Sequence, residues 1–442
     1  MKIILLLVAA AVGTLGPAGL ARENALGDSP APPERPARRQ PPPDQGGARN
    51  ERPQQKFSIE QAVSDTAQLH TIAFSGLAFL TGDFGASTFM PPGKVCDFFG
   101  FQYMRDIDAG GKGHNPMFLN RVAGNVLHIL NEGQKQSFLD LAGEQASQLE
   151  ELARMRLPLI WSFHRQSQGK VPMGSDGLNQ AAVSRYTGDI FALDAGLSLR
   201  RAEVMAAVAR SLTTEQRTYL GAMKFGDFNT WPTIDERDQL RAAGQGRPQL
   251  FNVAYMTYAS EFFSWTAGSL EADTYFCPER HGTYFGGFYM KDMPAMGKRD
   301  FDISTTRTGD SGRAFLEEVL TETQRRHITG IASAQRKALL ETIEVRRSIS
   351  GELRKLLAGG TPDRTQILKL GRRYGELDGE MSWMYAVAFA KINGTLTAAQ
   401  RASLMKLRNL EGYPSAEAYL YSRPITGKLQ LPDTDHFFFP PR

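Results

Sequence analysis

The chain repeats itself, and that limits its possible folds more than any other feature. Phe99-Gly100-Phe101-Gln102-Tyr103-Met104-Arg105-Asp106 returns 186 positions later as Phe285-Gly286-Gly287-Phe288-Tyr289-Met290-Lys291-Asp292. Leu130 and Gln134 return as Leu320 and Gln324, Leu193-Asp194 as Leu377-Asp378, and Leu212-Thr213 with Gln216 as Leu396-Thr397 with Gln400. One such block is within the reach of chance, but four in the same order with drifting offsets indicate duplication with small loop changes. The expectation is two halves, 56–245 and 246–432, packed about a pseudo-two-fold axis as a homodimer would be. A short tail, 433–442, follows, in which Asp433 and Asp435 read as solvated turn residues.

Ahead of the repeat lie two segments of different character. Met1-Lys2, the apolar run Ile3–Val12 and the small residues through Ala21 have the order of a secretory signal peptide, giving an exported, periplasmic or secreted expectation for the chain. Residues 22–55 are rich in Pro, Arg, Gln and Gly and nearly devoid of large apolar side chains, the composition of a disordered tether. Nothing later is long and apolar enough for a membrane helix. A net charge of +4 is too mild and too dispersed to suggest nucleic acid. Two cysteines exclude a disulfide-rich scaffold and a four-cysteine zinc module.

The repeated halves read as all-α. Ser58 with Gln61 has the form of a capping box, and Pro116 suits a first helical turn ahead of Phe118, Val122, Val126 and Leu130. From Thr321 to Leu357, Ile328, Ile331, Ala332, Leu339, Ile343, Ile349, Leu353 and Leu357 share one helical face, interrupted by Gln335 and Arg346. In Leu212-Thr213-Thr214-Glu215-Gln216, Thr213 caps a helix, Gln216 bonds back to its amide, and Leu212 is half of a hydrophobic staple. Leu320-Thr321-Glu322-Thr323-Gln324 and Leu396-Thr397-Ala398-Ala399-Gln400 read the same way, and Leu130-Asn131-Glu132-Gly133-Gln134 is a weaker version with Asn as the cap.

The recurring Leu-Thr-x-x-Gln signature resembles the Spy/CpxP group of periplasmic proteins, all-helical chaperones and stress sensors carrying two such motifs per chain. The resemblance covers the motif helices, about a third of the folded chain, and implies two family-like units fused in tandem. It further implies an ATP-independent holdase or envelope-stress role, with unfolded or envelope protein clients held on amphipathic helix faces. Arg325, Arg326, Arg336 and Lys337 would assist that binding. Each half is about twice the length that a simple family unit needs, and the two aromatic blocks have no counterpart in the group.

Those blocks, centred on Phe99, Gly100, Tyr103 and Asp106 and on Phe285, Gly286, Tyr289 and Asp292, read as structural plugs or as an aromatic-lined groove. Cys277 and His281, followed by Met290, Met293 and Met296 at three-residue intervals, form a donor set suited to copper, in an alternative copper- or redox-responsive reading. Cys96 and Cys277 could instead pair after export, provided the equivalent loops run antiparallel across the axis. No nucleophile elbow, His-Glu-x-x-His or phosphate loop is present, and no conventional catalysis is expected. A purely structural envelope module is the third reading.

Overall fold

The computed structural model describes residues 56–57, 65, 68–69, 72–73, 76, 80, 116–223, 231–234, 249–268, 270–275, 303–304, 314–408, 419–420, 423–424 and 433–442. The expectations for residues 1–55, for the Ser58 capping box, for both aromatic blocks and for Cys96, Cys277, His281, Met290, Met293 and Met296 lie outside this set.

The described chain is all-α. Its helices are α1 Pro116–Ile129, α2 Glu132–Ser167, α3 Gln180–Ser211, α4 Thr214–Ala222, α5 Gln249–Ala267, α6 Leu270–Tyr275, α7 Glu322–Lys355, α8 Arg364–Asn393, α9 Ala398–Arg408 and α10 Asp435–Phe438. A π turn, Ala314–Val319, precedes α7, and a 3₁₀ turn, Leu356–Ala358, ends it. Extended structure amounts to two antiparallel pairs of two-residue strands, 56–57 with 303–304 and 419–420 with 423–424. Pro116 opens α1 as expected, since its missing N–H would have no helical partner there. The apolar stripe of α7 is core: Ile328, Ile331, Ala332, Leu339, Ile343, Ile349 and Leu353 are all buried. It is not the longest helix, being 34 residues against 36 for α2. No described helix is long and apolar enough to cross a membrane.

The centre of the fold is the antiparallel pair α3 and α8, whose contact is the most extensive between any two described elements. Gly371, Gly375 and Gly379 form a stripe at four-residue spacing on α8. A Cβ on Gly375 would overlap the Thr187 carbonyl oxygen, and one on Gly379 would lie 2.8 Å from Ser184 Cα. Glycine is required here because two backbones meet with no room for a side chain. The contacts come in matched sets under the 184-residue offset. Gly371 meets Ala195 while Gly379 meets Thr187, and Gly371 meets Phe191 while Gly375 meets Thr187.

The sequence halves are not the spatial ones. Helix α5, which opens the second half of the sequence, packs on α1 and α2 of the first. Asp65, Gln68 and Gly76, which belong to the first half, pack on the second. Arg336 pairs with Asp65, Gln335 Nε2 donates to Gln68 Oε1 at 2.9 Å, and Gly76 sits against the rings of Phe389 and Phe315. Ile72 and Ala73 are fully buried in the same core. Residues Arg52–Arg442 therefore form one compact unit rather than two.

Residues 433–442 are packed rather than trailing. Phe438 and Phe439 are buried, and Asp435 pairs with Arg165. The expected solvated turn is a docked segment because three consecutive phenylalanines supply apolar area that one turn of helix, α10, turns inward.

Candidate functional site

The four motif copies ending in Gln134, Gln216, Gln324 and Gln400 all begin helices, and they act in pairs. At the start of α2, Gln134 N donates to Asn131 Oδ1 at 2.9 Å and Asn131 N donates to Gln134 Oε1 at 3.0 Å, a complete capping box. The start of α4 repeats it, with Thr213 N donating to Gln216 Oε1 at 2.9 Å and Gln216 N to Thr213 Oγ1 at 3.2 Å. Each cap stabilises its helix by about 1 kcal/mol. The amide nitrogens then point past their own helices and at each other. Gln134 Nε2 donates to Gln216 Oε1 at 3.2 Å, and Gln216 Nε2 donates to Gln134 Oε1 at 2.8 Å. The remaining protons go to Ser211 Oγ at 3.0 Å and to the Ile129 carbonyl at 2.9 Å. Each glutamine thus uses two donors and two acceptor sites, its whole capacity. The result is a cyclic amide pair, buried, that joins the α1–α2 junction to the α3–α4 junction.

The second half carries the same clasp. Gln324 Nε2 donates to Gln400 Oε1 at 3.4 Å and Gln400 Nε2 to Gln324 Oε1 at 2.8 Å. Thr321 N and Thr397 N donate to the glutamine oxygens at 2.9 and 3.0 Å. Gln324 Nε2 also reaches Thr395 Oγ1 at 3.1 Å, and Gln400 Nε2 the Val319 carbonyl at 2.8 Å. Ser211 and Thr395 each precede the motif leucine, as do Ile129 and Val319. Leu320 is buried, while Leu212 and Leu396 are partly buried against the core, which fits the staple role.

One element of the motif escaped the sequence reading. The residue after the glutamine is arginine in three of the four copies. Arg217 Nη2 donates to the Ala209 carbonyl at 2.8 Å, and Arg401 Nη2 to the Asn393 carbonyl at 2.6 Å. Both carbonyls lie at the C-terminal end of the preceding helix, where they lack intrahelical partners and where the helix dipole favours a cation. The chain turns back through the motif, and its arginine closes the helix just left. The signal was visible as Gln-Arg in three copies, yet an arginine in a helix gives no hint of its target.

Of the two polar residues that interrupt the α7 stripe, Gln335 bonds the Gln68 side chain and Arg346 caps a helix end. Arg346 is buried; its Nε donates to the Thr274 carbonyl at 2.6 Å, Nη2 to the Asp273 carbonyl at 2.6 Å and Nη1 to Tyr374 Oη at 3.0 Å. Arg354 reaches Asp273 Oδ2 at 2.5 Å and the Trp265 carbonyl at 3.1 Å. One face of α7 therefore neutralises the ends of α5 and α6. The basic residues expected to serve clients are partly engaged: Arg325 and Arg326 pair with Glu322, and Arg336 with Asp65.

A buried ionic cluster lies between α3 and α5. Arg201 Nη1 donates to Glu261 Oε1 at 3.2 Å, Nη2 donates to Ser198 Oγ at 2.9 Å, and Asp194 is 3.9 Å away. Tyr258 Oη donates to Gln145 Oε1 at 2.7 Å, and Gln145 Nε2 donates to the Leu197 carbonyl at 2.9 Å. Burial pushes the Glu261 carboxyl up to about 8, against the pull of Arg201 and with the help of Asp194. The side chains of Asp194, Arg201 and Glu261 have no solvent exposure, so the cluster tunes the core. Among the described residues no three His, Cys, Asp or Glu side chains gather as metal ligands would. His128, His164 and His327 stand on different helices. No family model, curated protein or solved structure matches the chain.

Proposed function

We propose that this protein is an exported helical binding protein with a Spy/CpxP-like, ATP-independent holdase or envelope-stress role, made from two tandem copies of a clasped helical unit. The observation that carries the reading is the doubled glutamine clasp. Two pairs of Leu-Thr-x-x-Gln-type junctions close on each other with the same partner atoms at both sites. The matched α3–α8 contacts support the duplication. On this reading the molecule is a pseudo-dimer within one chain whose copies exchange their first segments. The long core helices supply a stiff frame, and its outer surface displays Trp161, Met173, Leu340 and Met405 among charged neighbours.

The test is suppression of aggregation of a chemically denatured client by the purified protein without nucleotide. At equimolar or modest excess, light scattering should fall severalfold. Unchanged scattering at tenfold excess over two unrelated clients would refute the holdase reading.

A further inference from the structure

Residues 433–442 bind the rest of the molecule as a peptide ligand binds a receptor. All their recorded partners lie between residues 165 and 186, at the end of α2, the following turn and the start of α3. Asn179 N donates to the Phe438 carbonyl at 2.8 Å, and Arg442 N donates to the Gly174 carbonyl at 2.9 Å, beside an antiparallel bridge between Ser175 and Pro441. Main-chain bonds of this kind give affinity without regard to sequence. Side chains add the register. Asp435 at one end pairs with Arg165, and Arg442 at the other reaches Asp176 Oδ1 at 2.6 Å. Between them three rings are read in turn. Arg185 lies 5.5 Å from the Phe437 ring centre, Tyr186 meets Phe438 edge-on at 5.2 Å, and Arg165 lies 5.2 Å from the Phe439 ring centre.

This attachment is separable in principle. Twenty-four residues of chain lie between Arg408 at the end of α9 and Asp433. The attachment is weak: two buried rings contribute about 3–6 kcal/mol and the largely exposed Arg442–Asp176 pair little, against about 10–20 kcal/mol of backbone entropy lost by ordering the segment. A site that reads a short aromatic turn with a base after it is the kind of site a holdase needs for exposed core segments of unfolded chains.

We infer that the α2–α3 turn is a binding groove for aromatic client segments, and that residues 433–442 are an autoinhibitory strap occupying it in cis. This rests on the holdase reading, so the experiment separates the two. A fluorescein-labelled peptide of residues 431–442 is titrated by anisotropy into the full chain and into full-length Phe438→Asp. A second full-length variant, Asp435→Arg with Arg442→Glu, loosens only the ends in case Phe438→Asp fails to fold. Exchange of the Asn179 amide reports release of the strap. The loosened chain should bind the peptide at least tenfold more tightly than the wild type. A peptide with its three phenylalanines changed to serine should not bind. Client capture should rise in the variant and be competed away by the peptide. Equal binding to wild type and variant, or none to a variant that is folded with an exposed Asn179 amide, would overturn the groove. Peptide binding without competition against a captured client would overturn autoinhibition while leaving the holdase reading intact. Peptide binding with no client capture by any form would overturn the holdase reading instead.

Discussion

Replacing Gln216 by glutamate tests the clasp at the level of single atoms. Both residues can serve as the third residue of a capping box, so cap chemistry alone predicts little change. The clasp predicts otherwise. In the wild type Gln216 Nε2 donates to the Ile129 carbonyl at 2.9 Å and to Gln134 Oε1 at 2.8 Å. Glutamate would place an acceptor oxygen at that point, facing two other acceptors. Two donated bonds vanish: the Ile129 carbonyl loses this donor, Gln134 Oε1 keeps only the Asn131 amide, and a like-charged acceptor now faces both, at about 1–3 kcal/mol for each contact. A loss of roughly 3–4 kcal/mol at neutral pH follows, with part of it relieved by side-chain movement. Protonation restores one donor, so the introduced carboxyl titrates above its ordinary value of about 4.3 in the folded state. The deficit is therefore full above that raised value and shrinks as pH falls towards about 4. Urea unfolding of wild type, Gln216→Glu, Gln134→Glu and the double variant at pH 5 and 8 would measure it. Strong non-additivity is expected, because both changes act on one ring of bonds. A loss at pH 8 below 1 kcal/mol, or one independent of pH, would show that the reciprocal pairing contributes nothing beyond the caps.

Gly375→Ala should cost at least about 3 kcal/mol, because its methyl group meets the Thr187 carbonyl. Gly330→Ala, with open space around the added atom on exposed α7 surface, should stabilise by up to about 1 kcal/mol; thermal melts of the pair would show opposite signs. Glu261 binds its proton more tightly folded than unfolded, so stability should fall as pH rises between about 4.5 and 8, by at most about 1.4 kcal/mol per pH unit. Glu261→Gln should flatten that slope in chemical denaturation curves. Arg346→Met strips three bonds from the Asp273 and Thr274 carbonyls and Tyr374, and should lower stability by about 3–5 kcal/mol in the same assay.

The helices were legible because their signals are local. Caps, staples and the apolar stripe of α7 each need only a few neighbouring residues, and Gln134, Gln216, Gln324 and Gln400 were identified one by one from them. That the four are two pairs was not legible, since the partners lie 82 and 76 residues apart. The choice of glutamine over glutamate in every copy was the clue, because a capping box accepts either. Arg346 looked like a flaw in an apolar face for the same reason: the orphan carbonyls it closes belong to another helix. The packing of Gln68 and Gly76 on the second half of the sequence was equally hidden, because sequence offsets do not reveal which segments touch. The phenylalanines at 437–439 sat too close to Pro440 and Pro441 for a periodicity, and only the receptor turn at 174–179 gives them a place.

These long-range contacts also set a timetable for folding. The segment bearing Gln68, Ile72, Ala73 and Gly76 is met by Gln335 at Gln68 and by Phe315 and Phe389 at Gly76, roughly 250 residues further along. At about 5–20 residues per second of synthesis, its apolar face waits some 12–50 s for them to be made. During that interval it is itself an unfolded segment in need of cover.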